Sequence, residues 1–243
     1  MKLGFGLMRL PIIGDDRTNI DIEQVKKMAD NFIRAGGTYF DTAYPYHNGK
    51  SEEAFKEAVV KRYERSAYLI ADKMPLFFVK SAEDLPKFFD EQIERCGVEY
   101  FDYYLLHCLD KENYAIAKNT GTFEYVSAKK AEGKIKHVGF SFHDTPELLD
   151  EILTKHPEME FVQLQINYFD WEFLKAKALY EVARKYNKPI IIMEPIRGGM
   201  LANLPSQETR DILEQATKDS GKPPVSYASY ALRFVEQLEG VVC

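Results

Sequence analysis

Short apolar stretches that read as buried strands alternate with amphipathic helical stretches along almost the whole chain. This alternation limits the fold more than any other feature. LGFGLM opens the series. A helical pattern near Asp21–Ala35 follows, with Asp21 placed to cap it and Gln24 at the third helical position. Ile22, Val25, Met28 and Phe32 fall at helical spacing, and Gly36-Gly37 ends the pattern. Strand then helix recurs in TYFDT and SEEAFKEAVVKR. The next unit is AYLIADKM and a helix from about Ala82 to Cys96, stopped by Gly97. FDYYLLH and FEYVSAKKAEG, HVGFSF and TPELLDEILTKH, FVQLQIN and FLKAKALYEVARKY continue the series. PIIIMEP precedes a longer helical stretch, roughly Gln207–Gln237, interrupted near Gly221–Pro224, and GVVC reads as an eighth strand just beginning.

Strands separated by helices call for parallel crossover units rather than hairpins. Seven such units and the start of another point to an α/β fold, a parallel (β/α)8 TIM-type barrel. The 243 residues suit one such domain, which typically needs about 250. No G-x-G-x-x-G turn follows the first strand, which weakens the open dinucleotide-binding sheet. No Pro/Gly/Ser-rich linker marks a second domain, so residues 1–243 read as a single barrel domain. The sequence stops inside the eighth strand, with no outer helix after it, so the barrel reads as incomplete at its C-terminus. If these residues were the whole polypeptide, open strand edges would be expected to lower its stability and its cofactor affinity.

A formal net charge of −6 argues against a general nucleic-acid or anionic-membrane partner. Cys96, Cys108 and Cys243 show neither a disulfide framework nor metal-ligand spacing. They read as reduced thiols of a cytoplasmic protein, with no metal expected. No apolar run reaches transmembrane length, and no signal peptide is evident.

Four residues at predicted strand ends carry the chemistry: Asp41 and Tyr46 in FDTAYPY, Lys73 in LIADKM and His107 in DYYLLH. In a barrel, the C-terminal strand ends open on one face, where catalytic groups gather. A tyrosine is a weak acid, with a reference pKa of about 10. A nearby ammonium lowers that value, a carboxylate holds the ammonium in place, and a histidine can orient a carbonyl. Taken singly, each residue has an ordinary explanation: a turn-forming aspartate, one of fifteen tyrosines, a surface lysine, a core histidine. Together, in order, at successive strand ends, they form a catalytic constellation.

FDTAYPYHNGKSEEAFKEAV, LIADKM and DYYLLH resemble the signature segments of the aldo-keto reductase family, and the resemblance extends through GKIKHVGFSFH, VQLQINYFDW and IIIMEPIRGGMLAN. The last three are most similar to a bacterial branch whose longer members often carry a C-terminal ferredoxin-like iron–sulfur domain. The resemblance implies NAD(P)H-dependent reduction of an aldehyde or ketone. Tyr46 would be the proton donor, Lys73 and Asp41 would tune it, and His107 would orient the carbonyl. It also implies NADP(H) as cofactor, with NAD(H) open, because the segment that distinguishes them in relatives would follow Cys243. Ser141 and Gln163 would meet the nicotinamide carboxamide. At Arg197-Gly198-Gly199, where the seventh strand hands over to its loop, backbone amides could approach a pyrophosphate closely because glycine lacks a side chain, and a tight turn with a surface arginine explains the same residues equally well. Where many members have Ser-Asn, this chain has Ser141-Phe142-His143. Phe142 cannot supply the asparagine's hydrogen bonds. Tyr44, Phe77, Phe78, Tyr168 and Trp171 are candidates for the wall around a small-molecule carbonyl substrate.

Two other functions fit the same architecture. One is a barrel isomerase or lyase with Lys73 as a Schiff-base nucleophile. The other is a nonenzymatic cofactor-binding or subunit protein. The physiological substrate and the oligomeric state are not legible in the sequence.

Overall fold

A computed structural model describes residues 3–204, 206–221 and 223–243. The chain forms two compact units, residues 1–162 with Cys243, and residues 163–242.

In the first unit, β1 (Phe5–Gly6), β2 (Tyr39–Asp41), β3 (Leu69–Met74), β4 (Phe101–Leu109) and β5 (Ile135–Phe142) are joined by parallel ladders. Their registers pair Phe5 with Phe40, Phe40 with Ile70, Lys73 with Leu105, and Leu105 with Gly139. Phe40, Ile70, Leu105 and Phe140 are fully buried, as expected of strands covered on both faces. The strand β6 (Phe161–Gln165) spans the boundary between the units.

Helix α1 (Ile22–Arg34) begins where the sequence predicts, with Asp21 accepting the Gln24 N–H. Its buried stripe is Val25, Ala29 and Phe32. Met28 lies at the edge of that stripe and is exposed, so the expected face is shifted by part of a turn. Phe32 meets Phe5 and Phe40 at ring separations of 5.5 and 5.1 Å. Helix α2 (Ser51–Phe55) runs into a π-helical turn, Lys56–Val60, rather than continuing as one regular helix. Helix α3 (Asp84–Cys96) ends at Gly97 as expected.

Helix α4 (Lys111–Asn119) was not legible as a separate element. Its cap, Asp110, accepts the Asn113 N–H at 2.7 Å, and only Asn113, Tyr114 and Ala117 are buried. So sparse an apolar face leaves little periodicity to read. Helices α5 (Thr122–Ala131) and α6 (Pro146–Lys155) match the predicted pattern.

The second unit contains α7 (Asp170–Phe173), α8 (Ala176–Lys185), β7 (Ile190–Met193), α9 (Gln207–Asp219) and α10 (Tyr227–Glu236). Lys175, at φ 54°, breaks the predicted Phe173–Tyr186 helix and separates α7 from α8. Leu201, Leu204 and Ala231 are buried together, with Tyr168, Ile196 and Met200 packed against them. The predicted eighth strand is a single parallel bridge, Ile190 to Val241. The Ile190 N–H donates to the Gly240 carbonyl, and the Val242 N–H donates to the Ile190 carbonyl, each at 2.9 Å. Among the described residues, no helix is long and apolar enough to cross a membrane.

Candidate active site

Asp41 ends β2, and Lys73 stands near the C-terminal end of the adjacent β3. Parallel pairing therefore brings the two side chains to one end of the sheet. The Lys73 ammonium donates to Asp41 Oδ1 at 2.6 Å and to the Thr42 carbonyl at 2.6 Å. It reaches the Tyr46 hydroxyl at 3.4 Å and lies 4.9 Å from the centre of the Tyr46 ring. The His107 ring stands against Tyr46 at 5.9 Å, nearly perpendicular to it. All four predicted catalytic residues thus converge in the first unit.

The Tyr46 turn is held in an unusual backbone state. His47 and Asn48 both adopt left-handed φ, 51° and 52°. Such residues persist where their surroundings over-determine them. Here His47 Nε2 accepts the Leu10 N–H at 2.8 Å, and Nδ1–H donates to the Arg17 carbonyl at 2.8 Å. His47 therefore pins the loop after β1 onto the turn that carries Tyr46. His47 was not legible as a positioning residue in the sequence. The HNG run after Tyr46 was its only signal, since Asn and His tolerate this region better than most residues.

A β-bulge places His107. The β4–β5 register shifts between Leu106 and Leu109, and Cys108 takes φ 56°. Bulges re-aim side chains at strand ends. The Cys108 N–H donates to Ser141 Oγ at 2.8 Å, and its carbonyl accepts from Asn113 Nδ2 at 2.8 Å. Ser141 therefore supports the bulge and keeps a hydroxyl proton to donate elsewhere.

Electrostatics assign the protons. Burial works against the Lys73 charge, but Asp41 and Tyr46 outweigh it, and the ammonium is held above its ordinary range. Burial pushes the Tyr46 hydroxyl up, and Lys73 pulls it back only in part. The ammonium thus acts in the direction expected from the sequence, and desolvation is the larger effect. Burial, then Lys73 and His143, press the His107 pKa well below its ordinary value. At neutral pH the site holds an ammonium, a protonated phenol and a neutral imidazole. His107 Nδ1 is buried with no hydrogen-bond partner among the described residues.

Phe77 stands 5.4 Å from the His107 ring and is exposed, as is Phe78. Tyr44 instead donates to Glu91 at 3.1 Å and carries the Arg95 guanidinium over its ring. Phe142 is buried, and its ring packs 6.2 Å from Phe140. His143 is exposed at the end of β5.

In the second unit, Gln163 is buried on β6. Arg197, at φ 50°, donates from Nε to Asp170 Oδ1 at 3.0 Å and lies 4.5 Å from the Phe169 ring. Gly198 and Gly199 take φ 63° and 98°. That turn favours glycine, because a Cβ there is strained. The Arg197 and Gly199 N–H groups bond to the Glu194 and Ile196 carbonyls. Buried Asp170 also accepts from Asn167 and Gln165, so the aspartate of the DWE run organises the segment after β6. Tyr168 and Trp171 pack 6.3 and 5.3 Å from the Phe234 ring of their own unit.

The profile of the aldo/keto reductase family matches residues 2–242. The chain belongs to the aldo/keto reductase family. An "Aldo-keto reductase" of Gibberella moniliformis is 27% identical over 221 residues, which are 86% of this chain and 63% of that protein. The chain thus spans less than two thirds of that curated relative. Solved members of the family share the parallel (β/α)8 barrel fold. A thermostable aldo-keto reductase crystallised with the inhibitor epalrestat superposes with a TM-score of 0.77 at 24% identity, covering 100% of this chain and 83% of that one. An aldo/keto reductase from Klebsiella pneumoniae in complex with NADP and acetate gives 0.73 at 21% identity, covering 98% and 78%.

Proposed function

We propose that the protein is an NADP(H)-dependent oxidoreductase that reduces an aldehyde or ketone to the alcohol, with Tyr46 as proton donor. The observation that carries this reading is the Lys73 ammonium between Asp41 and the Tyr46 hydroxyl. When bound, the nicotinamide would supply the hydride to the carbonyl carbon. The chain's own part is to place and protonate the oxygen. Neutral His107 can donate an N–H to the carbonyl oxygen, and its buried Nδ1 has no competing partner among the described residues. The Tyr46 O–H passes its proton to that oxygen as negative charge develops there. Lys73, fixed by Asp41 and the Thr42 carbonyl, stabilises the phenolate that remains. Solvent then returns the proton to Tyr46.

NADP(H) is carried over from the family, whose solved members include complexes with NADP and NADPH. Ser141 and Gln163 are assigned to it by resemblance, and Arg197, Gly198 and Gly199 by their glycine turn after the seventh strand. The Ser141 hydroxyl proton is compatible with its role, whereas the Arg197 and Gly199 N–H groups of the glycine turn are already bonded to the Glu194 and Ile196 carbonyls. In this reading residues 1–243 serve as one catalytic domain. A Schiff-base role for Lys73 fits the geometry poorly, because a nucleophilic amine needs a lowered pKa and Lys73 is held charged.

The test is transfer of deuterium from stereospecifically labelled NADPD to a panel of aldehydes and ketones, followed by mass spectrometry of the alcohols. Label in the product supports the reading. Tight NADPH binding with no label in any product contradicts it.

A further inference from the structure

Parallel pairing of β2 with β3 ends at Asp41–Ala71, and the Thr42 N–H makes the last bond to Ala71. Two residues on, Lys73 has its main chain secured by side chains instead. Its N–H donates to Asp72 Oδ1 at 2.8 Å, and its carbonyl accepts from Gln92 Nε2 at 2.9 Å. Tyr104 in turn donates to Gln92 Oε1 at 2.5 Å. Asp72 and Gln92 are fully buried, and Tyr104 nearly so.

Side chains alternate along a strand, so Asp72 points opposite to Lys73. There it meets Cys96 of α3, whose thiol donates to Asp72 Oδ2 at 3.5 Å, and Glu52 of α2. One ligand-type atom from each of Glu52, Asp72 and Cys96 falls within 4.8 Å of the other two. Glu52 is fully buried. Arg95 donates to its Oε2 at 3.2 Å, but Oε1 has no hydrogen-bond donor among the described residues. A buried carboxylate oxygen without a donor is costly. A proton on the Glu52 carboxyl, given to the neighbouring Asp72 carboxylate, removes the cost. Asp72 is the natural acceptor, since both its oxygens already receive hydrogen bonds.

We propose that Glu52 and Asp72 hold one proton between them, carried on Glu52, and that the remaining Asp72 carboxylate is a positioning residue for Lys73 and Tyr46. The second half rests on the reductase reading. The charged and titratable groups around the pair are Lys73 on β3, Arg95, Cys96 and Glu91 on α3, Tyr104 on β4, and Asp41 and Tyr46 beyond Lys73. Arg95 and the Lys73 ammonium already supply positive charge, so a proton suits this cluster better than a divalent metal. Burial and the charge of Asp72 push the Glu52 carboxyl up. Burial also raises Asp72, against the opposing pull of the Lys73 N–H and ammonium. Asp72 adds a small upward push to Tyr46.

Infrared spectroscopy of the full chain at neutral pH tests the shared proton. A buried carboxylic-acid carbonyl band is expected, and Glu52→Gln should abolish it. Absence of the band, or a stoichiometric divalent metal on the purified protein, overturns the shared proton. The pH profile of carbonyl reduction tests the positioning role. Glu52→Gln replaces the acid O–H by an amide N–H and leaves the Asp72 charge, so its alkaline limb should not move. Asp72→Asn should move that limb to lower pH and reduce kcat about tenfold, with the NADPH KM unchanged. Asp72→Ser serves in its place if the asparagine variant does not fold. Equal shifts in the Glu52 and Asp72 variants would mean two charged carboxylates and overturn the shared proton. An unmoved limb in both Asp72 variants overturns the positioning role. Absence of carbonyl reduction by the unaltered protein would contradict the reductase reading and with it the positioning role, while the infrared result would still decide the shared proton.

Discussion

Lys73 Nζ lies 3.4 Å from the Tyr46 hydroxyl and 4.9 Å from the centre of the Tyr46 ring. The ammonium is thus close enough to stabilise a phenolate as it forms. Its two shorter bonds go to Asp41 and Thr42, which hold it ready.

Lys73→Met should therefore cost stability as well as activity. Lys73 is buried, and its loss takes the ammonium away from the largely buried Asp41 carboxylate and from the Thr42 carbonyl, leaving Asp41 the weaker Tyr39 hydroxyl contact at 3.5 Å. Removing one partner of a buried pair typically costs about 3–5 kcal/mol. Urea denaturation should show a loss near the lower end, because Asp41 keeps 15% side-chain exposure. Adding Asp41→Asn to the same chain should recover part of it. No recovery would show that the ion pair is not the source of the loss.

The pH dependence of stability carries the signature of Glu52. Burial, with Asp72 adding to it, pushes the Glu52 carboxyl from an ordinary 4.5 up to about 9. The folded state then binds this proton more tightly than the unfolded state does. The stabilising contribution is complete below about pH 4.5 and is lost as pH rises through about 9. The melting temperature should fall between those limits, and Glu52→Gln, which has no proton to lose there, should fall less. Equal slopes in the two proteins would contradict the assignment.

Gly139 tests packing rather than chemistry. A Cβ at this β5 position would stand 2.5 Å from the Phe161 carbonyl oxygen and 2.7 Å from the Phe161 ring. Gly139→Ala should destabilise by about 1–3 kcal/mol, since the obstruction includes backbone. Gly6→Ala meets nothing within 4 Å and should be near neutral in the same thermal melt.

Much of this site was legible because its residues are tied to strand ends. Asp41 and His107 each close a short apolar run, Lys73 follows one with Asp72 between, and parallel strands deliver such residues to one side. What was not legible depends on contacts between distant segments. His47 matters through bonds to Leu10 and Arg17. Gln92 lies on a helix face, where nothing local announces that it holds the Lys73 carbonyl. Asp72 and Glu52 looked like ordinary polar neighbours of a strand and a helix start, and only full burial sets them apart. Cys108 gave no sign of a bulge, because its strained φ is imposed by Ser141 and Asn113. The apolar pattern overreached at Met28, which is exposed at the edge of its helix stripe.

The most direct test of the central claim is single-turnover carbonyl reduction by Tyr46→Phe, measured beside Tyr44→Phe with NADPH bound. Tyr46→Phe removes the O–H beside Lys73 and leaves the ring against His107. Tyr44→Phe removes a bond to Glu91 at some remove from the proton transfer. The account predicts a loss of about 10²- to 10⁴-fold in the Tyr46 variant, with NADPH affinity kept, and a much smaller loss in the Tyr44 variant. Equal rates in Tyr46→Phe and the unaltered protein, or equal losses in the two variants, would contradict it.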